Sequence, residues 1–231
     1  MNIALVVAGG SGSRACQSVP KQFLTVNEIP IIIHTLLNVQ KTGLYDETVV
    51  IIPDGWQMFI TSYCSKYEIN LAGLVVGGES RFGSILNAVR YLDERYNEKD
   101  AVSVIDANRP LIPKSVFAEN LRTVKDADEN TVILSAYPCM DSMFKTSEKG
   151  IESVNRQEYL LGQCPETAFL KLFKEIYYQA EKDGLGDLSA ANLAVKYGKH
   201  IKSVSGSAKS FKITVKDDLD IFKALLCLDG E

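Results

Sequence analysis

Residues Val6 to Leu24 read VVAGGSGSRACQSVPKQFL, an apolar run that breaks into glycines and serines, passes Arg14, and closes on Pro20-Lys21. A buried strand followed at once by glycines presents backbone N–H groups to an anion. The stretch therefore poses a choice between a dinucleotide loop and a polyphosphate loop. Gly10, Gly12 and Ala15 satisfy the G-x-G-x-x-G/A spacing. That fingerprint also needs a helix opening inside the loop and an acid at the end of the next strand, about 20 residues on. Pro20 would interrupt such a helix, and Ile29-Pro30-Ile31-Ile32-Ile33 stands where the acid belongs, with only Glu28 before it. An NAD(P)-binding oxidoreductase is disfavoured on both counts. Arg14 and Lys21 instead supply two cations beside a glycine-rich backbone. A polyphosphate needs such donors and countercharge, because negative charge grows on the leaving group during transfer.

Working outward, apolar strands and amphipathic helices alternate. Asn2–Ala8, Thr48–Pro53, Leu71–Val76, Ala101–Asp106 and Thr131–Ala136 read as short buried strands. Pro30–Lys41 reads as a helix opening on proline and closing before Gly43. Trp56–Tyr67 and Ser80–Tyr96 also read as helices. In the second, Ile85, Ala88, Val89 and Leu92 make one apolar face. Phe169, Phe173, Ile176, Tyr177 and Ala180 form a further stripe, as do Leu219, Phe222 and Leu226; these are core positions and carry no chemistry. The rhythm predicts an α/β fold, with a mostly parallel sheet covered by helices on both faces and ligands at the carboxyl ends of the strands. Cys139–Leu161 breaks the rhythm and reads as a β-arm rather than a second domain, leaving 1–231 as a single domain with 139–161 as its arm.

Composition narrows the function classes. The 231 residues suffice for one sizeable core. A formal charge of −4 argues against a nucleic-acid surface. No apolar run reaches the roughly 18 residues of a membrane span, so no membrane partner is expected. Five cysteines, none closer than 25 residues to the next, give neither a metal knuckle nor a disulfide framework. A reducing cytoplasm is the expected compartment. Cys164 reads as a packing residue, and His34 and His200 as structural.

Four further stretches join the glycine loop in a fixed order: Gly77-Gly78-Glu79-Ser80-Arg81-Phe82-Gly83-Ser84, Ile105-Asp106-Ala107-Asn108-Arg109-Pro110, Gln163-Cys164-Pro165-Glu166, and Phe211-Lys212-Ile213-Thr214 with Asp217-Asp218-Leu219. Together they resemble the cytidylyltransferases that act on methylerythritol phosphate and ribitol phosphate, over nearly the whole chain. The resemblance implies a Rossmann-like nucleotidyltransferase fold whose protruding arm helps form a homodimer. It implies that CTP is joined to a polyol phosphate with release of pyrophosphate, with Mg²⁺ as the divalent cation. Carried over by position, Arg14, Lys21 and Lys212 are the catalytic cations. Ala8, Gly9, Gly10, Gly12, Gly78, Ser84, Asp106 and Ala107 line CTP, with Gly78 and Ser84 reading cytosine and Asp106 near ribose and Mg²⁺. Arg109, Asp141 and Arg156 meet the acceptor phosphate, Arg156 reaching across the dimer.

The residue types suit this chemistry independently. An attacking phosphate monoester is already anionic, so no histidine, serine or cysteine is needed to activate it, and catalysis reduces to positioning and charge stabilisation. Plainer roles stand beside these: Arg81 orders its turn or pairs with an acid, Arg109 braces the loop, and Lys212 is a solvated lysine in a short strand. The chain departs from the family pattern at Ile105, Asn108, Cys164, Glu166, Ser142, Ser210, Phe211 and at Gly186-Asp187-Leu188, where a Thr-Asp pair is usual. The departures gather on the acceptor half. They point to an acceptor that is neither methylerythritol phosphate nor necessarily ribitol phosphate, but a related polyol phosphate used for a surface polysaccharide. A methylerythritol phosphate enzyme and a non-catalytic nucleotide-binding relative are the alternatives.

Overall fold

A computed structural model describes residues 1–9 and 19–228. Seven strands share one sheet in the order β11-β7-β10-β6-β1-β4-β5. They are β1 (Asn2–Val7), β4 (Glu47–Ile52), β5 (Gly73–Val76), β6 (Ala101–Asp106), β7 (Thr131–Pro138), β10 (Leu160–Phe169) and β11 (His200–Ser205). Two small hairpins stand apart, β2 (Thr25–Val26) with β3 (Ile29–Pro30), and β8 (Met143–Ser147) with β9 (Gly150–Val154). The described residues also form seven α-helices, α1 (Ile31–Thr42), α2 (Gln57–Lys66), α3 (Arg81–Asp93), α4 (Lys114–Asp126), α5 (Leu170–Lys182), α6 (Ala190–Lys196) and α7 (Lys216–Leu228), and three short 3-10 turns at Lys21–Phe23, Arg156–Glu158 and Ala208–Ser210.

The two-residue period of β1 makes the layers. Ile3, Leu5 and Val7 pack on one face with Ile85, Val89, Phe173, Ile176 and Leu193 from α3, α5 and α6. Ala4, Val6 and Ala8 pack on the other with Ile33, Leu36, Ile60 and Phe117 from α1, α2 and α4. Alternate side chains of a strand point to opposite faces, so a strand apolar at every position from Ile3 on has to be buried on both sides. That is the expected α/β arrangement.

The sheet is mostly parallel, with β1–β4, β1–β6, β4–β5 and β7–β11 parallel. The exception is β10, which runs antiparallel to both β6 and β7. The periodicity did not single out β10, β11, α4 or α6. β10 carries a register shift between Gly162 and Glu166, which breaks its alternation. β11 is an edge strand with no fully buried residue, so it needs no apolar run. Phe169 ends β10 rather than opening a helical stripe, and Lys212 lies in no strand, because residues 211–214 adopt no regular element.

From β1 the chain winds outward through β4 to β5, then α3 crosses back to β6 on the other side of β1. The β1/β6 boundary is therefore a topological switch point. Open α/β sheets form their ligand crevices at such points, beyond the carboxyl ends of the strands.

Candidate active site

At the carboxyl end of β6 lies Asp106, 7% exposed. Three cations surround it. Lys212 Nζ is 3.1 Å from Oδ2, Arg109 Nε is 3.3 Å from the same oxygen, and Arg81 Nη2 is 3.4 Å from Oδ1. Burial alone would raise the Asp106 carboxyl. The charges of Arg81, Lys212 and Arg109 reverse this and hold it well below the usual carboxylate range. Burial likewise works against the charged form of Arg81, but Asp106 and Glu166 keep its guanidinium firmly protonated. Arg81 thus pairs with an acid, as its plainer reading anticipated. Arg109 does more than pair, since its Nη1 also donates to the Ser210 carbonyl at 2.5 Å.

These side chains come from separate parts of the chain. Asp106 is the last residue of β6, in register with Val7 of β1. Arg81 is the first residue of α3, whose start is capped by Ser80 Oγ accepting from Gly83 N at 3.0 Å. Lys212 arrives from a remote stretch of sequence, in a segment tied down by Asn108. Asn108 Nδ2 donates to the Ile213 carbonyl at 2.8 Å, and Ile213 N donates to the Asn108 carbonyl at 2.9 Å. Farther back, Gln163 and Ser207 exchange two hydrogen bonds of 2.9 and 3.0 Å. A Cβ on Gly206 would meet Gln163 Oε1 at 2.2 Å, so a larger residue there would push the Gln163 amide off Ser207.

The turn after β5 packs directly on the end of β1. Ser84, with no exposed surface, accepts from Gly78 N at 3.1 Å and donates to the Ser80 carbonyl at 2.8 Å. A Cβ on Gly9 would lie 2.4 Å from Ser84 Oγ, one on Gly77 2.9 Å from the same atom, and one on Gly78 2.9 Å from the Gly83 carbonyl carbon. Only glycine backbones can approach this closely. Ala8 and Ala107 are buried, their carbonyls accepting from Gln22 Nε2 at 2.6 Å and Thr35 Oγ1 at 2.7 Å. Lys21 Nζ donates to the Thr214 carbonyl at 2.6 Å, so the lysine after the glycine loop reaches the segment that carries Lys212.

The remaining expected site residues lie elsewhere. Asp141 and Arg156 are exposed on the arm, where the Arg156 guanidinium donates to the Met140 carbonyl. Gly10, Gly12 and Arg14 lie outside the described residues. Two positions that pattern reading left without a role stand close by. Glu166 is 5% exposed, accepts from Ala190 N at 3.2 Å, and acts electrostatically on Arg81. Asn108 was visible only as a departure from a family pattern. Cys164 is buried and its thiol is pushed up to about 12, by burial first and then by Asp106, which leaves no thiolate for nucleophilic chemistry.

The molecule thus combines a buried, ionised acid faced by three cations at the end of β6 with close-packed glycines after β1 and β5, residue types that suit an anionic ligand. The family described as "IspD: 2-C-methyl-D-erythritol 4-phosphate cytidylyltransferase" matches residues 2–227, and the chain belongs to this family of cytidylyltransferase enzymes. It is 31% identical to the 2-C-methyl-D-erythritol 4-phosphate cytidylyltransferase of Syntrophus aciditrophicus, over 97% of this chain and 95% of that one. It is 30% identical to the ribitol-5-phosphate cytidylyltransferase of Vibrio parahaemolyticus, over 98% and 96%. Its fold matches the 4-diphosphocytidyl-2C-methyl-D-erythritol synthase of Anaerococcus prevotii with a TM-score of 0.82, at 20% identity over 98% of this chain and 96% of that one. It also matches the 2-C-methyl-D-erythritol 4-phosphate cytidylyltransferase of Thermus thermophilus with a TM-score of 0.76, at 24% identity over 96% and 97%.

Proposed function

We propose that this chain transfers CMP from CTP to a polyol phosphate, forming a CDP-alditol and releasing pyrophosphate. The observation that carries the reading is Asp106, buried, ionised and faced by Arg81, Arg109 and Lys212 at the switch point of the sheet. An oxygen of the acceptor phosphate attacks the α-phosphorus, the bond to the bridging oxygen breaks, and pyrophosphate leaves with that electron pair. No proton has to be removed from the attacking oxygen, which suits a site whose side chains are cations and one acid. Arg14, Lys21 and Lys212 meet the triphosphate and the charge that develops on it. The Gly77–Ser84 turn takes cytosine, with Ser84 shaping the turn through Gly78. Arg109, Asp141 and Arg156 take the acceptor.

A divalent ion fits here in a limited way. Among the described residues no cluster of three acidic, histidine or cysteine side chains could cage one. One ionised carboxylate, Asp106, is what Mg²⁺ uses when substrate phosphates supply other ligands. Bound there, the ion would neutralise phosphate charge.

The acceptor we infer is a polyol phosphate other than methylerythritol phosphate, related to ribitol phosphate and destined for a surface polysaccharide. Support comes from Asn108, Glu166, Ser210 and Gly186, departures from the family pattern that by resemblance fall on the acceptor half, while the motifs carried over to CTP keep their residues. A site that bonds a substrate hydroxyl discriminates strongly, because a missing partner leaves buried groups unpaired. The test is pyrophosphate release from CTP and Mg²⁺ with a panel of acceptors. Ribitol phosphate or a close relative should turn over fastest, whereas methylerythritol phosphate as the sole efficient acceptor would overturn the assignment.

We also infer that 1–231 acts as one domain and pairs through the 139–161 arm. The arm and its base expose Met140, Phe144, Ile151, Tyr159 and Leu160 by 43–73%, a larger apolar display than a lone soluble hairpin tolerates. Light scattering should give the dimer mass for the native chain and the monomer mass for Phe144→Lys/Ile151→Lys. A monomeric native chain would remove the pairing.

A further inference from the structure

We propose that Asn108 is a positioning residue for Lys212, setting the amine at Asp106 by fixing the backbone next to it. The proposal rests on the cytidylyltransferase reading for its catalytic consequence, but its geometry stands alone. Lys212 sits in a segment, 211–214, with no helix or strand to hold it. Its own side chain is 41% exposed. A long side chain rooted in irregular backbone has many rotamers to lose, so its location depends on how firmly the root is held.

Asn108 supplies that hold. It exchanges two hydrogen bonds with Ile213, the side-chain amide giving one at 2.8 Å and the main-chain carbonyl accepting the other at 2.9 Å. Asn108 is two residues beyond Asp106, and Ile213 is one residue beyond Lys212. The clasp therefore joins the two chain segments at the ion pair itself, and Lys212 Nζ reaches Asp106 Oδ2 at 3.1 Å. Arg109, the next residue, fastens the other side of Lys212 through the Ser210 carbonyl. Ile213 is 3% exposed, so a carbonyl that loses the Asn108 amide there gains little water in return. The backbone would shift to recover a partner and carry Lys212 with it. A displacement of about 1 Å at a group that meets transferring phosphate can cost up to ~100-fold in rate.

The test uses the full chain with Asn108→Ala and Asn108→Asp, the latter keeping the shape while turning the donor into an acceptor. The first readout is acetylation of Lys212 by an N-hydroxysuccinimide ester, measured by mass spectrometry against exposed Lys216 in the same digest. Both variants should raise the Lys212/Lys216 ratio by about five-fold, as expected for releasing a half-exposed ion pair. The second readout is turnover of CTP, where kcat should fall by about ten-fold or more and KM for CTP by much less. An unchanged labelling ratio overturns the proposal even if turnover drops, because a merely structural role lowers activity without freeing that one amine. A raised ratio in a chain whose native form releases no pyrophosphate from CTP with any acceptor would uphold the clasp and overturn the cytidylyltransferase reading instead.

Discussion

Lys21 and Gly9 are single residues at which the proposed site can be probed. Lys21 reaches the Thr214 carbonyl, and in the proposed reaction its charge would matter most as the leaving pyrophosphate gathers its own. Lys21→Ala should therefore lower kcat by about 100-fold or more while weakening CTP binding by far less. Rate measurements beside calorimetric CTP affinities check this, and equal losses in both would assign Lys21 to ground-state binding. Gly9 matters by having no side chain. A Cβ there would lie 2.4 Å from a hydroxyl already bonded on two sides, so Ser84 cannot simply step aside. Gly9→Ala should cost about 1–3 kcal/mol of stability and reduce CTP affinity, read by denaturant melts and calorimetry. Native affinity in that variant would mean that the cradle is not where the nucleotide sits.

Helix α7 is held by less than its length suggests. Phe222 is its one buried residue among the described positions, inserted with Val26, Ile31 and Ile213 into a small satellite core and meeting the His34 ring edge-on at 5.1 Å. His34 is in turn bonded to the Val26 carbonyl at 3.1 Å, the structural duty anticipated for it. Asp218 Oδ2 accepts from Thr214 N at 2.6 Å and Val215 N at 2.9 Å, closing the first turn of the helix. Because Ile213 belongs to the same small core, the helix and the Lys212 segment are fastened together. Phe222→Ala should cost about 3 kcal/mol and lower turnover although residue 222 touches no reacting group. Thermal melts with kinetics would detect both, and full activity in the variant would uncouple the helix from the site.

Across the whole molecule, acid should act through the carboxylates that the fold holds low. Burial opposes ionised Asp106 but Arg81, Lys212 and Arg109 overcome it, and Lys174 lowers Asp93 through a direct hydrogen bond. Folded values below the unfolded value near 4 mean that this stabilisation is complete above that pH. It is lost as pH falls through the folded values, where protons enter the folded chain. Denaturation midpoints should be flat from about pH 6 to 8 and drop below about pH 4, with a shallower acid limb in Asp106→Asn. An acid limb of equal steepness in that variant would take Asp106 out of the stability balance.

Much of this was readable along the chain. Ile3–Ala8 is apolar throughout and Ala101–Ile105 is broken only by Ser103, and local pattern suffices to make such segments buried central strands. The run of glycines after β1, the lysine after Pro20 and the acid ending β6 likewise announce an anion site, since strand ends and glycines carry their meaning locally. The antiparallel course of β10 was not legible, because its interrupted alternation across Gly162–Glu166 resembles a loop. Nor were Glu166 and Asn108 as members of the site, since each takes its role from a partner far away in sequence: Arg81 for one, Ile213 for the other. Sequence by itself determined the layers and the kind of chemistry, both of which follow from side-chain period and residue type. Only tertiary structure decided which three cations share Asp106, because charges interact through distances in space and a chain of letters contains none.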